Sequence, residues 1–109
     1  MTDCLVVLVT VGSRSEGERI AEALVTEQLA ACVNLLGPIQ STYRWEGRVQ
    51  RDDELLLIVK TRAELFTPLS ARVRALHSYE TPEVIALPVV AGSEPYLEWV
   101  RASTSGGRH

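Results

Sequence analysis

The densest group of chemically active side chains in this sequence is the segment 77–83, which reads HSYETPE. One imidazole, one phenol and two carboxylates within so short a segment can bind a metal ion or a small polar ligand. A structural explanation competes with this one, because a helix dipole favours histidine near a helix C-terminus and Pro82 presets a turn. The residues alone leave both explanations open.

The two cysteines, Cys4 and Cys32, indicate packing more than chemistry. They lack the C-x-x-C spacing of a structural zinc site, and one pair does not form the disulfide scaffold of a small secreted protein. Cys32 follows a predicted helix, and a free cysteine is among the most buried residue types. As a nucleophile it would need a neighbouring base, and the sequence places neither histidine beside it. With no P-loop or Ser-His-Asp pattern either, we expect that the protein is not an enzyme.

The length and charge of the chain exclude several classes of protein. A chain of 109 residues is expected to form one domain with one modest core. A net charge of −3 is unlike the basic balance of nucleic-acid-binding proteins. No apolar stretch approaches the roughly 20 residues of a membrane span, and the acidic N-terminus is unlike a signal peptide. We therefore expect a cytoplasmic protein that binds neither nucleic acid nor membrane.

The elements that position the polar segment follow from the hydrophobic pattern. Residues 5–11 are apolar on both faces, as in a central strand, whereas later apolar residues recur at helical spacing. The pattern predicts strands over 5–11, 32–45, 49–61 and 83–90, and helices over 14–31, after Thr61, and from Ser93.

Local signals mark where the predicted helices begin. Ser13 and Glu16 have the spacing of a capping box, as do Thr61 and Glu64. Pro68 lies inside the second helical pattern, so that helix either restarts after Thr67 or kinks at the proline.

The order β-α-β-β-α-β with an extra C-terminal helix is that of an α+β, ferredoxin-like sandwich. In this fold both long helices cover one face of a four-stranded sheet, and here the second and third strands form a long hairpin. We expect one domain over residues 1–102 and a disordered tail over 103–109.

The long hairpin and the apolar strands indicate self-association. Each hairpin arm of about 13 residues spans roughly 43 Å, far more than the radius of gyration of about 13 Å expected for this chain length. Helices cover only one face of a sheet whose strands are apolar on both. A second copy of the chain would cover the other face; alternatively, the hairpin folds back over it and the protein is a monomer.

Five motifs in register resemble the CutA family, the divalent-cation tolerance proteins. They cover nearly the whole chain and are ACVN (31–34), STYRWEG (41–47), KT (60–61), HSYETPE (77–83) and YLEW (96–99). The resemblance implies a ferredoxin-like subunit in a homotrimer, similar in architecture to the PII signalling proteins.

The resemblance also implies a function in divalent-cation tolerance, with Cu(II) or another divalent cation bound weakly. Metal ligation proposed in the family involves a cysteine late in the first strand and two adjacent histidines before the tyrosine loop. At the cysteine and first histidine positions this sequence has Val9 and Leu76, so His77 is the remaining candidate metal ligand.

An alternative function is a PII-like signalling module that binds a small anionic ligand in a cleft between subunits. Aromatic walls with a few polar anchors are typical of such a cleft. The candidate lining residues are Tyr43, Lys60, Tyr79, Glu80 and Trp99. An enzyme that uses Cys32 ranks behind both functions.

Overall fold

Four antiparallel strands and three helices make up the computed structural model, which describes residues 1–106. The elements are β1 (Cys4–Val11), α1 (Arg14–Thr26), β2 (Cys32–Trp45), β3 (Arg48–Arg62), α2 (Phe66–Leu76), β4 (Val84–Pro88) and α3 (Glu94–Ser103). The strand order β2-β3-β1-β4 is that of a ferredoxin-like sheet, which confirms the predicted fold. Within residues 1–106 no helix has the length and apolarity needed to cross a bilayer.

The core lies between the sheet and the two long helices. Alternate residues of the central strand β1, namely Val7, Val9 and Val11, are fully buried on the helix side. They pack against α1 through Ile20 and Leu24, and the same cluster contains α2 residues. Because β1 pairs with both β3 and β4, this one strand aligns the whole sheet.

Helix α1 begins as predicted and ends earlier than predicted. The Ser13 hydroxyl accepts a hydrogen bond from the Glu16 N–H at 3.2 Å, as an N-cap does. The helix ends at Thr26 because Gln28 adopts a positive φ of 60°, which breaks the helical backbone. The Leu29 N–H then donates back to the Leu24 carbonyl at 2.9 Å, which closes the helix end.

The β2-β3 hairpin forms a long ribbon. Its turn residues, Glu46 and Gly47, both have positive φ, as a tight two-residue hairpin turn requires. The strand register shifts between Leu36 and Ile39, across Gly37 and Pro38, because the proline has no N–H to donate to the neighbouring strand. The ribbon makes the molecule elongated, with extents of 44 × 26 × 21 Å.

The start of α2 differs from the prediction. Thr61 is not a helix cap but a buried residue of β3, and its hydroxyl donates to the Leu29 carbonyl at 2.7 Å. A short 3₁₀ turn over Ala63–Leu65 leads into the helix, so Pro68 falls in the first turn of α2, where its missing N–H costs no hydrogen bond. The fourth strand is also shorter than the predicted 83–90.

Helix α3 covers one end of the opposite sheet face. Cys4 lies on that face, because its position alternates with Val7, and it packs with Leu97 and Val100. Thr104 is fully buried and its hydroxyl accepts a hydrogen bond from Arg62 Nε at 2.8 Å. The predicted disordered tail therefore does not include Ser103 or Thr104, and its last residues, 107–109, lie outside the described residues.

The remainder of this second face is apolar and exposed. Leu36, Ile85 and Leu87 are 41%, 51% and 49% exposed, respectively. Ile85 and Leu87 pair with Leu8 and Val6 of β1, so they share the face that alternates with the core. The second apolar face of the sheet, predicted from the sequence, is thereby confirmed.

Burial along β3 generates a matched test of the core. Val59 is fully buried, whereas Val49 on the same strand is 60% exposed. We expect Val59→Ala to lower the free energy of unfolding by about 2 kcal/mol, because the methyl groups it removes lie in the core. Val49→Ala, the control, should change it by less than about 0.5 kcal/mol in denaturant unfolding. Equal effects of the two substitutions would contradict this description of the core.

Candidate functional site

A cavity of about 460 Å³ lies where the hairpin leaves the sheet, and we call it the acidic cleft. One wall belongs to β2 and β3, and the other belongs to the loop between α2 and β4. Its lining residues are Thr10, Tyr43, Trp45, Asp52, Glu54, Tyr79, Glu80, Thr81 and Glu83. This volume lies within the range of small-ligand sites.

The charged residues that line the acidic cleft are all negative. Four carboxylates line it, from Asp52, Glu54, Glu80 and Glu83, and none of its lining residues is basic. Asp52 and Glu54 are two residues apart on β3, so they point to the same face of the ribbon. The combined field attracts cations and repels anions, which argues against the small anionic ligand expected from the resemblance.

Two phenols hold the β3 carboxylates by hydrogen bonds. The Tyr79 hydroxyl donates to Glu54 Oε2 at 2.9 Å, and the Tyr43 hydroxyl donates to Asp52. Burial, together with the hydrogen bond to Glu54, raises the pKa of Tyr79 to about 12. The bond to Asp52 raises the pKa of Tyr43. Both phenols are therefore protonated donors at neutral pH.

His77 lies behind the cleft wall, with a side chain that is 0% exposed. Its Nε2 donates to the Thr10 carbonyl at 2.7 Å, and its Nδ1 accepts from the Tyr79 N–H at 3.0 Å. These partners place the proton on Nε2 and occupy both nitrogens. A metal ion at either nitrogen would have to displace one of them, so the role of His77 as a metal ligand stays a prediction.

The other positions implied by the family ligand set carry no donor atoms for a metal. Val9 is fully buried in the core, and Leu76 packs against the same core. Among residues 1–106, no group of three or more His, Cys, Asp or Glu side chains is arranged to hold a metal ion.

Glu16 bonds to the loop that lines the acidic cleft, a contact that the sequence did not reveal. Its carboxylate does not close the predicted capping box but accepts a hydrogen bond from the Ser78 N–H at 2.7 Å. It also lies 3.5 Å from His77 Nδ1. Burial acts to raise the pKa of Glu16, but the hydrogen bonds that Ser78 donates outweigh it, so the pKa is lowered.

The structure brings three of the five predicted cleft residues together in the acidic cleft. Tyr43, Tyr79 and Glu80 line the acidic cleft, whereas Lys60 and Trp99 are not among its lining residues. The Lys60 ammonium donates to the Asn34 side chain, and Trp99 packs against Tyr96 with ring centroids 5.6 Å apart.

The two cleft carboxylates of β3 were not predicted from the sequence. Asp52 and Glu54 belong to an acidic run that is typical of a solvated turn region. Alternation along the strand was the available signal, because it places both side chains on one face of the hairpin. The contact with the 77–83 loop is a tertiary feature that the strand pattern does not contain.

The lowered pKa of Glu16 predicts a specific dependence of stability on pH. A carboxyl whose folded pKa lies below its unfolded value of 4.5 stabilises the fold above that value. This stabilisation is lost as the pH falls through the folded pKa. We expect the free energy of unfolding, measured in urea from about pH 6 to about pH 3, to decrease less steeply in Glu16→Gln than in the wild type. Glu22→Gln, an exposed α1 control, should keep the wild-type slope; parallel curves for all three proteins would contradict the assignment.

Comparison with known proteins corrects the predicted location. A relative from Arabidopsis thaliana, named "Protein CutA, chloroplastic", is 54% identical over 100 residues, which are 92% of this chain and 55% of the relative. The chain thus spans about half the length of this relative. A solved structure from Archaeoglobus fulgidus, titled a periplasmic divalent cation tolerance protein, has a TM-score of 0.90 at 40% identity and covers 93% of this chain and 98% of that one.

These names contradict the cytoplasmic location expected from the sequence. Cys4 is buried among apolar side chains of α3, and its thiol has a pKa raised chiefly by burial. A cysteine that packs as a small apolar residue does so in any compartment, so it does not indicate a reducing one.

The family itself is shown by matches over nearly the whole chain. The family model described as "CutA1 divalent ion tolerance protein" matches residues 5–103. A relative from Thermus thermophilus, named a divalent-cation tolerance protein, is 52% identical over 91% of this chain and 96% of its own length. The solved Thermus structure has a TM-score of 0.91 and covers 93% of this chain and 98% of that one. The chain therefore belongs to the CutA1 divalent ion tolerance protein family.

Proposed function

We propose that this protein is a binding protein, not an enzyme, that takes up divalent cations weakly in the acidic cleft and so serves divalent-cation tolerance. The observation that carries this proposal is the set of four carboxylates around one cavity with no basic lining residue. The names of its relatives describe tolerance to divalent cations and no reaction.

The arrangement of the donors accounts for weak binding. Carboxylate oxygens bind hard divalent cations, and tight sites gather several of them around one point. Here Tyr79 occupies one oxygen of Glu54, and Tyr43 occupies one oxygen of Asp52. The four carboxylates are also spread around a wide cavity. A cation is therefore held mainly by the summed field, with part of its hydration shell retained.

Copper is expected to bind more tightly than the other first-row divalent ions. For a given set of oxygen and nitrogen donors, affinity rises to Cu(II) and falls again at Zn(II). We therefore expect the affinity for Cu(II) to exceed those for Zn(II) and Mn(II), and this order does not require a dedicated copper site.

We also propose that the protein is a homotrimer. The hairpin projects from the core, and Trp45 near its tip is 59% exposed. The open sheet face with Leu36, Ile85 and Leu87 would be covered by neighbouring copies, which accounts for its apolar character.

A PII-like module with a small organic ligand is the second candidate. The aromatic rings of Tyr43, Trp45 and Tyr79 line the same cavity as the carboxylates, and a metal ion alone does not use such walls. The charge of the cavity favours a cationic ligand over an anionic one.

Removal of one cleft charge tests the cation proposal. We expect Glu54→Gln to weaken Cu(II) binding roughly fivefold, because one nearby charge contributes about 1 kcal/mol in a partly solvated site. Binding is measured by isothermal titration on protein without an affinity tag. Glu22→Gln, on the exposed face of α1, is the control and should bind as the wild type does.

Identical affinities for Glu54→Gln and Glu22→Gln would place the cation elsewhere. A thermal-shift screen of metal ions and small metabolites separates the two candidates: stabilisation by one metabolite and by no metal ion would favour the PII-like module.

The assembly is tested by native mass spectrometry. We expect the mass of three chains for the wild type, and partial dissociation for Trp45→Ala, because the substitution removes a large aromatic contact from the hairpin. Val25→Ala, which alters an exposed apolar residue of α1, is the control and should leave the trimer intact. A monomeric wild type would overturn the proposed trimer.

A further inference from the structure

The loop between α2 and β4 forms one wall of the acidic cleft, although it contains no helix or strand of its own over residues 77–83. Something else must hold this wall, because a loop without packed elements is mobile. We propose that Glu16 and His77 are positioning residues that fix the loop, and with it Tyr79, against the acidic cleft. This inference rests on the proposed function only for the identity of the ligand, a divalent cation, in the acidic cleft.

Glu16 fixes the loop from the side of α1. The residue is only 6% exposed, and a buried carboxylate is costly unless it is hydrogen-bonded. The Ser78 N–H supplies that bond at 2.7 Å. Since the Glu16 backbone N–H is itself bonded to the Ser13 hydroxyl, the carboxylate projects from a fixed first turn of the helix.

His77 fixes the loop from the side of β1. Its ring joins the Thr10 carbonyl, 2.7 Å from Nε2, to the Tyr79 N–H, 3.0 Å from Nδ1. The rings of His77 and Tyr79 also pack together, with centroids 4.6 Å apart. The imidazole is thus a bridge between the end of β1 and the backbone of Tyr79.

The hydroxyl end of Tyr79 is confined as well. A Cβ atom built on Gly12 would lie 3.2 Å from the Tyr79 hydroxyl, so the phenol lies directly against the backbone that follows β1. The same hydroxyl donates to Glu54 Oε2 at 2.9 Å. Glu16 and His77 therefore determine, through Tyr79, how one of the cleft carboxylates is oriented.

Two substitutions of Glu16 separate the effect of its side-chain length from the effect of its charge. Glu16→Gln keeps an oxygen that can accept from the Ser78 N–H, whereas Glu16→Asp keeps the charge but is too short to reach it. We expect the amides of Ser78 and Tyr79 to exchange with deuterium about tenfold faster in Glu16→Asp, and at close to the wild-type rate in Glu16→Gln.

Cation affinity is the second readout, measured on the same variants with Cu(II) alone. Because Glu16 acts on the cation only through the orientation of Glu54, we expect a decrease of about twofold in Glu16→Asp, smaller than the loss in Glu54→Gln, and recovery in Glu16→Gln. His77→Gln, which can both donate and accept, should likewise bind more tightly than His77→Leu. Melting temperatures identify any variant that is unfolded.

Unchanged exchange of the two amides in a folded Glu16→Asp protein would overturn the positioning role. Faster exchange with unchanged Cu(II) affinity would overturn the link between the loop and the cleft, leaving Glu16 a purely structural residue. If the wild type binds no Cu(II), the proposed function fails instead, and amide exchange alone decides whether Glu16 and His77 hold the loop.

Discussion

The alternation of side chains along the central strand β1 is the constraint on which the rest of the structure depends. One set of residues, with Val7, Val9 and Val11, is buried under α1 and α2. This set belongs to the main hydrophobic core, whose burial stabilises the fold. The other set must then face the opposite side. There Cys4 is covered by α3, Val6 and Leu8 belong to the open apolar face, and Thr10 reaches the acidic cleft. A shift of register by one residue would exchange the two sets, so the core and the cleft are specified together.

The acidic cleft combines groups that are separated in the sequence and held by different physical means. The carboxylates of β3 are presented by the pleat of a hydrogen-bonded ribbon, whereas the loop after α2 depends on side-chain to backbone bonds. The protonated phenol of Tyr79 joins the two walls by donating to Glu54, whereas that of Tyr43 donates to Asp52 within the hairpin wall. The buried imidazole of His77 belongs to this framework through its two hydrogen bonds.

The sequence predicts the fold well and the site only in part. Periodicity identifies the strands, the long hairpin and the order of elements, since each depends on neighbours along the chain. It does not identify the role of Glu16, because the capping-box spacing with Ser13 describes a local bond that a distant amide, that of Ser78, replaces. For the same reason, Thr61 has the spacing of a cap but lies in β3. Tyr43, Tyr79 and Glu80 were found through family motifs, whereas pairing of Tyr79 with Glu54 arises from tertiary contact alone.

The projecting hairpin gives the acidic cleft an uneven rigidity. Tyr43 and Trp45 lie on the part of the ribbon that extends beyond the core, while Tyr79 is fastened to β1 and α1. The loop wall is therefore held more firmly than the hairpin wall. A ligand that bridges the two walls reduces the conformational entropy of the hairpin. Any contact that immobilises the ribbon preorganises the site, and by thermodynamic reciprocity any occupant of the site strengthens that contact. In the proposed trimer, ligand binding in the acidic cleft and packing of the hairpin against a neighbouring copy would therefore strengthen each other.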